Sequence, residues 1–215
     1  MALRAVFFDL DGTLLDTLED IATSANYALE AHGLAPHPVE AYKLFVGEGM
    51  RALMQKLASP DLTESLLKVL KEHYATQWRA TSVPYGGIEH LLEALTCKGV
   101  KVGILSNKAD MFVKECVAHF FPDVPFCGVA GEKEGILRKP DPAGLFALLE
   151  GLHVSLEEVC FVGDTKTDME TAVRAGVEAL GVSWGFREKE ELMAHGAKHV
   201  FEDALALETY LLGRV

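Results

Sequence analysis

Aspartates cluster at the end of the first apolar segment of this sequence. The stretch FFDLDGTLLDT, residues 7–17, holds Asp9, Asp11 and Asp16 within eight residues. In a continuing strand, Asp9 and Asp11 would point the same way and repel each other. A bound cation would relieve this repulsion and leave one carboxylate free to attack phosphorus or to transfer a proton. A simple Asp-Gly turn explains Asp11 but not Asp9, which still belongs to the apolar run.

Polar residues also follow two later segments. Ser106 and Asn107 come directly after the apolar run VKVGIL. They could cap the helix predicted from residue 109 or bind an anion at the strand end, and these two roles are compatible. Lys139 lies in RKPDP, where two prolines restrict the backbone. This lysine is either aimed at a site by a stiff loop or simply solvated.

A second pair of aspartates lies in FVGDTKTDME, residues 161–170, where Asp164 and Asp168 are four apart. That spacing puts both on one face of a helical turn, and helix capping accounts for at most one of them. Together with Asp9 and Asp11, their oxygens would form a hard-cation site suited to Mg²⁺.

Short apolar runs alternate with helix-like stretches through most of the chain. The runs that we predict to be strands are residues 4–9, 100–105, 126–130, 158–163 and 177–183. Helices are predicted at 87–98, 109–120, 141–152 and 167–175. This alternation predicts an α/β fold, a doubly wound parallel sheet with helices on both faces. Ligands bind such sheets beyond the carboxyl ends of the strands, where the polar residues above are found.

Residues 16–82 interrupt the alternation, because they show helical periodicity and no convincing strand. We therefore predict a core of residues 1–15 and 83–215 with an all-helical insert at 16–82. Asp16 and Glu19 resemble a capping box at the start of that insert.

The insert contains one glycine-rich loop, FVGEGMR, which holds Gly47, Glu48, Gly49 and Arg51. This pattern is typical of a plain connection between helices, with Arg51 solvated. Its glycines would also permit the loop to close over the site and Arg51 to reach a substrate carboxylate.

Acidic residues outnumber basic ones by 32 to 20, which gives a net charge of −12. Such a surface repels nucleic acid and anionic membrane, so an anionic substrate must be held by local cations. The 4 cysteines form no CxxC pair, which indicates free thiols in a reducing compartment. Because no apolar run is long enough to span a membrane, we expect a cytoplasmic protein.

Four motifs occur in a fixed order: DxDGT at Asp9, Ser-Asn at 106–107, KPxP at Lys139 and GDxxxDM at Asp164. This order resembles that of the haloacid dehalogenase-like phosphohydrolase superfamily, and the insert resembles its helical cap. The words DLDGTLLDT, VGEGM, VPYGG and RKPDP look most like the phosphoglycolate phosphatase branch. The resemblance implies a Rossmann-like core and Mg²⁺-dependent hydrolysis of a small phosphate monoester, with 2-phosphoglycolate as the expected substrate.

The resemblance also implies a role for each motif residue. Asp9 is expected to become an aspartyl phosphate, while Asp11 acts as general acid and base. Mg²⁺ is expected to bind Asp9, the backbone carbonyl of Asp11, and Asp164. The remaining implied roles are phosphate binding by Ser106, Asn107 and Lys139, support by Asp168 and Thr13, and substrate selection by Gly47, Glu48, Gly49 and Arg51.

Other activities share parts of this pattern. A hexose phosphomutase would use the same aspartates but needs anchors for a second phosphate, and a pyrophosphatase of the same superfamily is a further alternative. A true dehalogenase needs no metal and should lack Asp11 and Asp164. A phospho-accepting receiver domain also combines aspartates, a hydroxyl residue and a lysine, but has no helical insert of this length. We expect a monomer or homodimer whose partner is a small phosphorylated metabolite.

Overall fold

The computed structural model describes residues 2–133 and 135–215. Its strands are β1 (Ala5–Phe8), β2 (Leu15–Asp16), β3 (Val83–Pro84), β4 (Lys101–Ala109), β5 (Gly128–Glu132), β6 (Val159–Gly163), β7 (Glu178–Val182) and β8 (His199–Phe201). Within the described residues one sheet has the order β5, β4, β1, β6, β7, β8, with parallel pairing between neighbours. The predicted α/β fold with a parallel sheet is confirmed.

Helices cover both faces of this sheet. They are α1 (Leu18–Ala31), α2 (Tyr42–Phe45), α3 (Met50–Leu57), α4 (Thr63–Gln77), α5 (Ile88–Cys97), α6 (Asp110–Phe120), α7 (Ala143–Leu149), α8 (Lys166–Ala175), α9 (Lys189–Ala194) and α10 (Ala204–Leu212). Short 3₁₀ turns lie at Val39–Ala41, Pro60–Leu62 and Leu156–Glu158. In the part of the chain that the structure describes, no helix has the length and apolar character needed to cross a membrane.

The central strand β1 separates two hydrophobic cores. Val6 and Phe8 pack into the core that also receives α5 and α6, whereas Ala5 and Phe7 pack into the core that receives α7 and α8. All four side chains are fully buried. Successive side chains alternate between faces in a strand, so a strand covered on both sides reads as one continuous apolar run. This run brings Asp9 directly from the buried sheet to its carboxyl edge.

The segment predicted as an insert is helical. Residues 17–82 contain α1 to α4 and no strand, and α4 packs against both α1 and α3. β2 and β3 flank this segment and pair antiparallel, with Leu15 opposite Pro84 and Asp16 opposite Val83. The chain thus leaves and re-enters the core through two adjacent segments. This arrangement agrees with the predicted insert at 16–82, whose standing as a separate domain stays a prediction.

The start of the insert differs from the prediction. Asp16 Oδ1 accepts from Leu18 N at 3.4 Å, but within the described residues the Glu19 side chain accepts no hydrogen bond from the Asp16 backbone. The predicted capping box is therefore wrong. The Thr17 side chain does not cap α1 either, because its hydroxyl donates to Asp11 Oδ1 at 2.7 Å.

Candidate active site

The polar residues of the sequence motifs converge at one edge of the sheet. Since β1 lies between β4 and β6, Asp9 at the end of β1 is flanked by Ser106 in β4 and by Asp164 after β6. Asp9 N donates to Val162 O at 2.9 Å, which fixes the aspartate to the end of β6. Sheet order, rather than proximity in sequence, brings these groups together.

A buried lysine bridges two of the aspartates. Lys139 Nζ lies 2.9 Å from Asp9 Oδ1 and 2.6 Å from Asp168 Oδ1. Burial lowers the pKa of Lys139, but the attraction of Asp168 and Asp9 outweighs burial and raises that pKa above its ordinary value. Lys139 is therefore a protonated part of the site rather than a solvated side chain.

Within the described part of the chain, one carboxylate oxygen of Asp9 has no hydrogen-bond partner. Oδ1 accepts from Lys139 and from Leu10 N at 2.7 Å, whereas Oδ2 accepts no hydrogen bond from the described residues. Burial raises the pKa of Asp9 to about 6; Lys139 opposes this shift, and Asp168 and Asp11 add to it. The free oxygen is available to a metal ion or to an electrophile.

Asp164 is fully buried and lies among neutral donors. Its Oδ1 accepts from Thr13 Oγ1 at 3.0 Å and its Oδ2 from Phe186 N at 2.8 Å. Burial, followed by repulsion from Asp168 and Asp9, raises the pKa of Asp164 well above its ordinary value. The described residues give this carboxylate no lysine or arginine partner. A buried carboxylate without a counter-charge is costly, so a bound cation would stabilise it.

Gly12 permits the close approach of the first motif to Asp164. Its φ is +82°, and a Cβ at this position would lie 2.2 Å from Asp164 Oδ2. Any side chain at residue 12 would displace the buried carboxylate. The glycine therefore serves the site as well as the turn.

The acidic residues fit a divalent metal ion. Asp9, Asp164 and Asp168 each offer one carboxylate oxygen, and these oxygens lie within 4.8 Å of one another. Asp168 already accepts from Lys139 and, as in a capping box, from Thr165 N at 3.0 Å and Oγ1 at 2.7 Å. Asp9 and Asp164 therefore remain as the available carboxylate ligands. Three buried carboxylates around one lysine leave excess negative charge, which suits a cation that prefers oxygen ligands.

Asp11 has a separate set of partners. Its Oδ1 accepts from Lys108 Nζ at 2.8 Å and from Thr17 Oγ1 at 2.7 Å. The Lys108 ammonium also lies 4.8 Å from the centre of the Tyr74 ring, which α4 supplies. Burial lowers the pKa of Lys108, but Asp11 and then Tyr74 outweigh it and raise that pKa above its ordinary value. Since Thr17 and Tyr74 belong to the insert, the insert helps to set the position of Asp11.

Asn107 joins three segments of the site. Its Nδ2 donates to Lys139 O at 3.0 Å and to Gly47 O at 3.1 Å, and its Oδ1 accepts from Lys139 N at 2.9 Å. Ser106 Oγ accepts from Lys108 N at 3.3 Å. Both residues lie inside β4, and α6 begins only at Asp110 without a side-chain cap. The helix-cap alternative is therefore wrong for both, and Asn107 instead positions Lys139.

The last two residues of α2 and the loop that follows, residues 44–49, cover the site and are here called the cap loop. Two core arginines hold its backbone: Arg187 donates to Leu44 O at 3.3 Å and Val46 O at 3.0 Å, and Arg138 donates to Glu48 O at 2.9 Å. The cavity beneath the loop has a volume of about 50 Å³. It is lined by Asp9, Asp11, Ile21, Val46, Gly47, Gly49, Met50, Leu53, Ser106, Asn107, Lys108 and Phe186.

Comparison with known proteins identifies the family. Residues 6–182 match a family model described as haloacid dehalogenase-like hydrolase. This chain belongs to that family. A phosphoglycolate phosphatase from Rhodospirillum rubrum is 34% identical, over 97% of this chain and 90% of its own length. The phosphoglycolate phosphatase of Aquifex aeolicus is 32% identical, over 86% of each chain.

A solved structure gives the same result for the fold. The crystal structure of a protein proposed as a phosphoglycolate phosphatase from Lactobacillus delbrueckii subsp. bulgaricus is 31% identical and superposes with a TM-score of 0.92. The superposition covers 99% of this chain and 100% of that one. The family resemblance drawn from the four motifs is confirmed.

In this haloacid dehalogenase-like hydrolase, Glu48 and Arg51 of FVGEGMR have partners outside the cavity. Arg51 forms an ion pair with Glu64 on α4, and Glu48 pairs with Lys56 at 3.0 Å. Neither Arg51 nor Glu48 lines the cavity, whereas the two glycines of the same loop do. α3 begins at Met50, so Arg51 already belongs to its first turn and pairs with the neighbouring helix instead of the site.

Three residues of the site region were not identified from the sequence. Lys108 follows Ser106 and Asn107 directly, and a lysine beside two strand-end polar residues is the signal that could have indicated it. Arg138 and Arg187 have no local signal. Arg138 donates to a backbone carbonyl 90 residues away in the sequence, and Arg187 to one 141 residues away. Every residue type has a backbone carbonyl, so the sequence does not indicate these acceptors.

Proposed function

We propose that this protein is a phosphatase that hydrolyses a small phosphate monoester, with 2-phosphoglycolate as its substrate. The family and the names of its relatives support phosphate-ester chemistry. The observation that carries the proposal is that Asp9 and Asp11 pair with different buried lysines. Asp9 lies 2.9 Å from Lys139, and Asp11 lies 2.8 Å from Lys108. Two carboxylates in different surroundings can divide the roles of nucleophile and acid–base catalyst.

Asp9 is the proposed nucleophile. An Asp9 oxygen attacks phosphorus, the bond from phosphorus to the substrate alcohol breaks, and an aspartyl phosphate forms. Lys139 and Ser106 are the proposed donors to the phosphoryl oxygens. Asn107 supports this role because it holds the Lys139 backbone at both its N–H and its carbonyl.

Asp11 is the proposed general acid and base. It protonates the departing alcohol and then takes a proton from the water that hydrolyses the aspartyl phosphate, which restores Asp9. Hydrogen bonds from Lys108 and Thr17 support this role, since they hold the Asp11 carboxylate in its own position. Acid–base help of this kind accelerates reactions about a hundred- to ten-thousandfold.

We further propose that Mg²⁺ binds to Asp9, Asp164 and the backbone carbonyl of Asp11. When bound, the ion would neutralise buried carboxylates and polarise a phosphoryl oxygen. Thr13 orients Asp164 through its 3.0 Å hydrogen bond, and Asp168 holds Lys139 at 2.6 Å. These two residues act as supports rather than as ligands.

The size of the cavity favours a short substrate. A volume of about 50 Å³ under the cap loop is small beside the 300–1,000 Å³ that is typical of sites for drug-sized ligands. Hexose phosphates and nucleotides would require the cap loop to move away. 2-Phosphoglycolate, with its short carbon chain, would need less displacement than these larger esters.

A panel of phosphate esters tests the proposal. We expect steady release of inorganic phosphate in the presence of Mg²⁺, with kcat/KM higher for 2-phosphoglycolate than for glucose 6-phosphate, AMP or pyrophosphate. EDTA should abolish turnover and added Mg²⁺ should restore it. A higher kcat/KM for another ester would show that this ester, and not 2-phosphoglycolate, is the preferred substrate. Full activity after thorough chelation would contradict the metal assignment. Isomerised sugar phosphate without phosphate release would indicate a mutase instead.

A further inference from the structure

Among the residues that the structure describes, a single cation lines the cavity under the cap loop. Among the described residues that line it, Asp9 and Asp11 are acidic and Lys108 alone is basic. The insert contributes apolar side chains to the lining, including Ile21 and Leu53. A second anionic group that enters beside the phosphate would therefore need Lys108 as its counter-charge, because an unpaired charge is costly in an apolar setting.

Lys108 has the capacity to bind such a group. Its side chain is 2% exposed, and its ammonium carries three N–H donors. Within the described residues, Asp11 Oδ1 is the only acceptor of a hydrogen bond from Nζ, and the Tyr74 ring covers another side of the ammonium. A donor thus remains for a ligand after these two contacts are counted.

The arginines near the cap loop and Lys139 have other partners. Arg51 pairs with Glu64, and both side chains are largely exposed. Arg138 and Arg187 donate to backbone carbonyls of the cap loop, and neither lines the cavity. Lys139 bridges Asp9 and Asp168 and also lies outside the cavity lining.

We propose that Lys108 binds the carboxylate of the substrate and selects short phosphate esters that carry an anionic tail. The inference rests on the proposed function, because it assigns a residue to the substrate group that distinguishes 2-phosphoglycolate from neutral esters. An anionic tail would share the ammonium with Asp11, whereas a neutral tail would gain no charge-assisted hydrogen bond. The selecting cation thus comes from β4 of the core rather than from Arg51 of the insert.

The test compares two substrates of similar size, 2-phosphoglycolate and 2-hydroxyethyl phosphate, whose tail is neutral. Lys108→Met keeps most of the side-chain length and removes the charge. We expect it to lower the ratio of kcat/KM for the first substrate to that for the second by roughly ten- to a hundredfold. Lys108→Arg, which keeps the charge, should retain most of this ratio. Arg51→Met is the matched control and should leave it unchanged.

The outcomes separate this inference from the proposed function. If Lys108→Met slows both substrates by the same factor, Lys108 acts only through Asp11 and the inference is overturned. If the wild-type protein does not hydrolyse 2-phosphoglycolate at all, the proposed function fails. If Arg51→Met lowers the ratio of kcat/KM for 2-phosphoglycolate to that for 2-hydroxyethyl phosphate, the insert rather than Lys108 selects the substrate.

A second measurement does not depend on a stable Lys108 variant. Crystals of Asp9→Asn soaked with 2-phosphoglycolate should place the substrate carboxylate within hydrogen-bond distance of Lys108 Nζ, about 3 Å. A carboxylate bound to any other cation, with Lys108 still donating to Asp11 alone, would overturn the inference.

Discussion

Asp9 and Asp11 have the same side chain and are two residues apart, but their electrostatic surroundings differ. Asp9 is buried beside Asp168 and Lys139, and burial raises its pKa to about 6. Asp11 is partly exposed, pairs with Lys108 and accepts a hydrogen bond from the insert through Thr17. One carboxylate faces the proposed metal and phosphate position, and the other lies between the core and the insert.

Substitution should separate the two roles. Asp11→Asn is expected to lower kcat about a hundred- to ten-thousandfold and still to bind beryllium fluoride on Asp9. Asp9→Asn is expected to lose turnover and beryllium fluoride binding together, because it removes the attacking oxygen. Fluorine NMR measures the bound complex. Equal binding by both variants would show that the nucleophile is wrongly assigned.

The sequence predicted the residues of the site that lie at strand ends, and it missed those whose role depends on distant partners. Asp9 and Asp164 stand out because charge follows an apolar run, and Lys139 stands out because two prolines restrict its loop. Lys108 reaches Asp11 across 97 residues, and its contact with Tyr74 depends on where α4 packs. The position of Lys108 beside Ser106 and Asn107 could have indicated that it belongs to the site, but no local pattern indicates either of its contacts.

Asp20 of α1 links the two segments that join the insert to the core. Its carboxylate accepts from Thr81 N at 3.0 Å and Thr81 Oγ1 at 2.8 Å. It also accepts from Ser82 N at 2.9 Å and Ser82 Oγ at 2.6 Å. The outgoing helix is thereby fixed to the returning chain just before β3.

We expect Asp20→Ala to lower the free energy of unfolding by about 3 kcal/mol, because it leaves two buried donors of Ser82 and two more exposed donors of Thr81 without an acceptor. Urea unfolding followed by circular dichroism measures this loss. Glu19→Ala is the matched control, since Glu19 is exposed on the same helix turn and should change stability little. A similar loss in both variants would attribute the effect to the helix rather than to the linkage.

Arg187 makes a separate contribution by holding the cap loop. Arg187→Leu removes the donors to Leu44 O and Val46 O, so closure of the loop should weaken. We expect kcat/KM to fall about tenfold for 2-phosphoglycolate and for 2-hydroxyethyl phosphate alike, since closure does not depend on the substrate tail. Arg79→Leu, an exposed insert residue, is the control. A loss confined to 2-phosphoglycolate would instead make Arg187 a carboxylate ligand.

β1, β4, β6 and β7 were predictable because each is largely a buried run of apolar residues between turn signals. β5 is mostly only partly buried, and the predicted run at 126–130 overlaps its first three residues. β8 was not predicted, since its three residues are partly exposed and begin with His199. β2 and β3 have two residues each, which is too short for any periodicity to appear. They form only because the folded core brings the two ends of the insert together.

A second charged network lies at the opposite end of the sheet from the candidate active site. Glu178, the first residue of β7, pairs with Lys198 at 3.0 Å and with Arg214 near the carboxyl terminus. It also accepts from Tyr210 Oη at 2.9 Å and from Cys160 Sγ at 3.2 Å. Burial alone would raise the pKa of Glu178, but these partners outweigh it and lower the pKa to about 2.

This network should make stability depend on pH. Because the folded-state pKa of Glu178 is lowered, its contribution is complete above the ordinary value of 4.5 and is lost as pH falls toward about 2. Glu178→Gln should therefore lower the free energy of unfolding at pH 7, and its difference from the wild type should shrink between about pH 4.5 and pH 2. Chemical unfolding across this range measures the difference. Glu72→Gln, at an exposed site, should show no such trend, and a constant difference for Glu178→Gln would contradict the assignment.

The sharpest test of hydrolysis through Asp9 is to measure inorganic phosphate released from 2-phosphoglycolate by the wild type and by Asp9→Asn, with Mg²⁺ present. We expect each wild-type molecule to release many equivalents at a steady rate. Asp9→Asn should be slower by at least about a thousandfold while its circular dichroism spectrum is unchanged. Release by Asp9→Asn at the wild-type rate, or wild-type release that stops after one equivalent, would contradict hydrolysis through an aspartyl phosphate on Asp9.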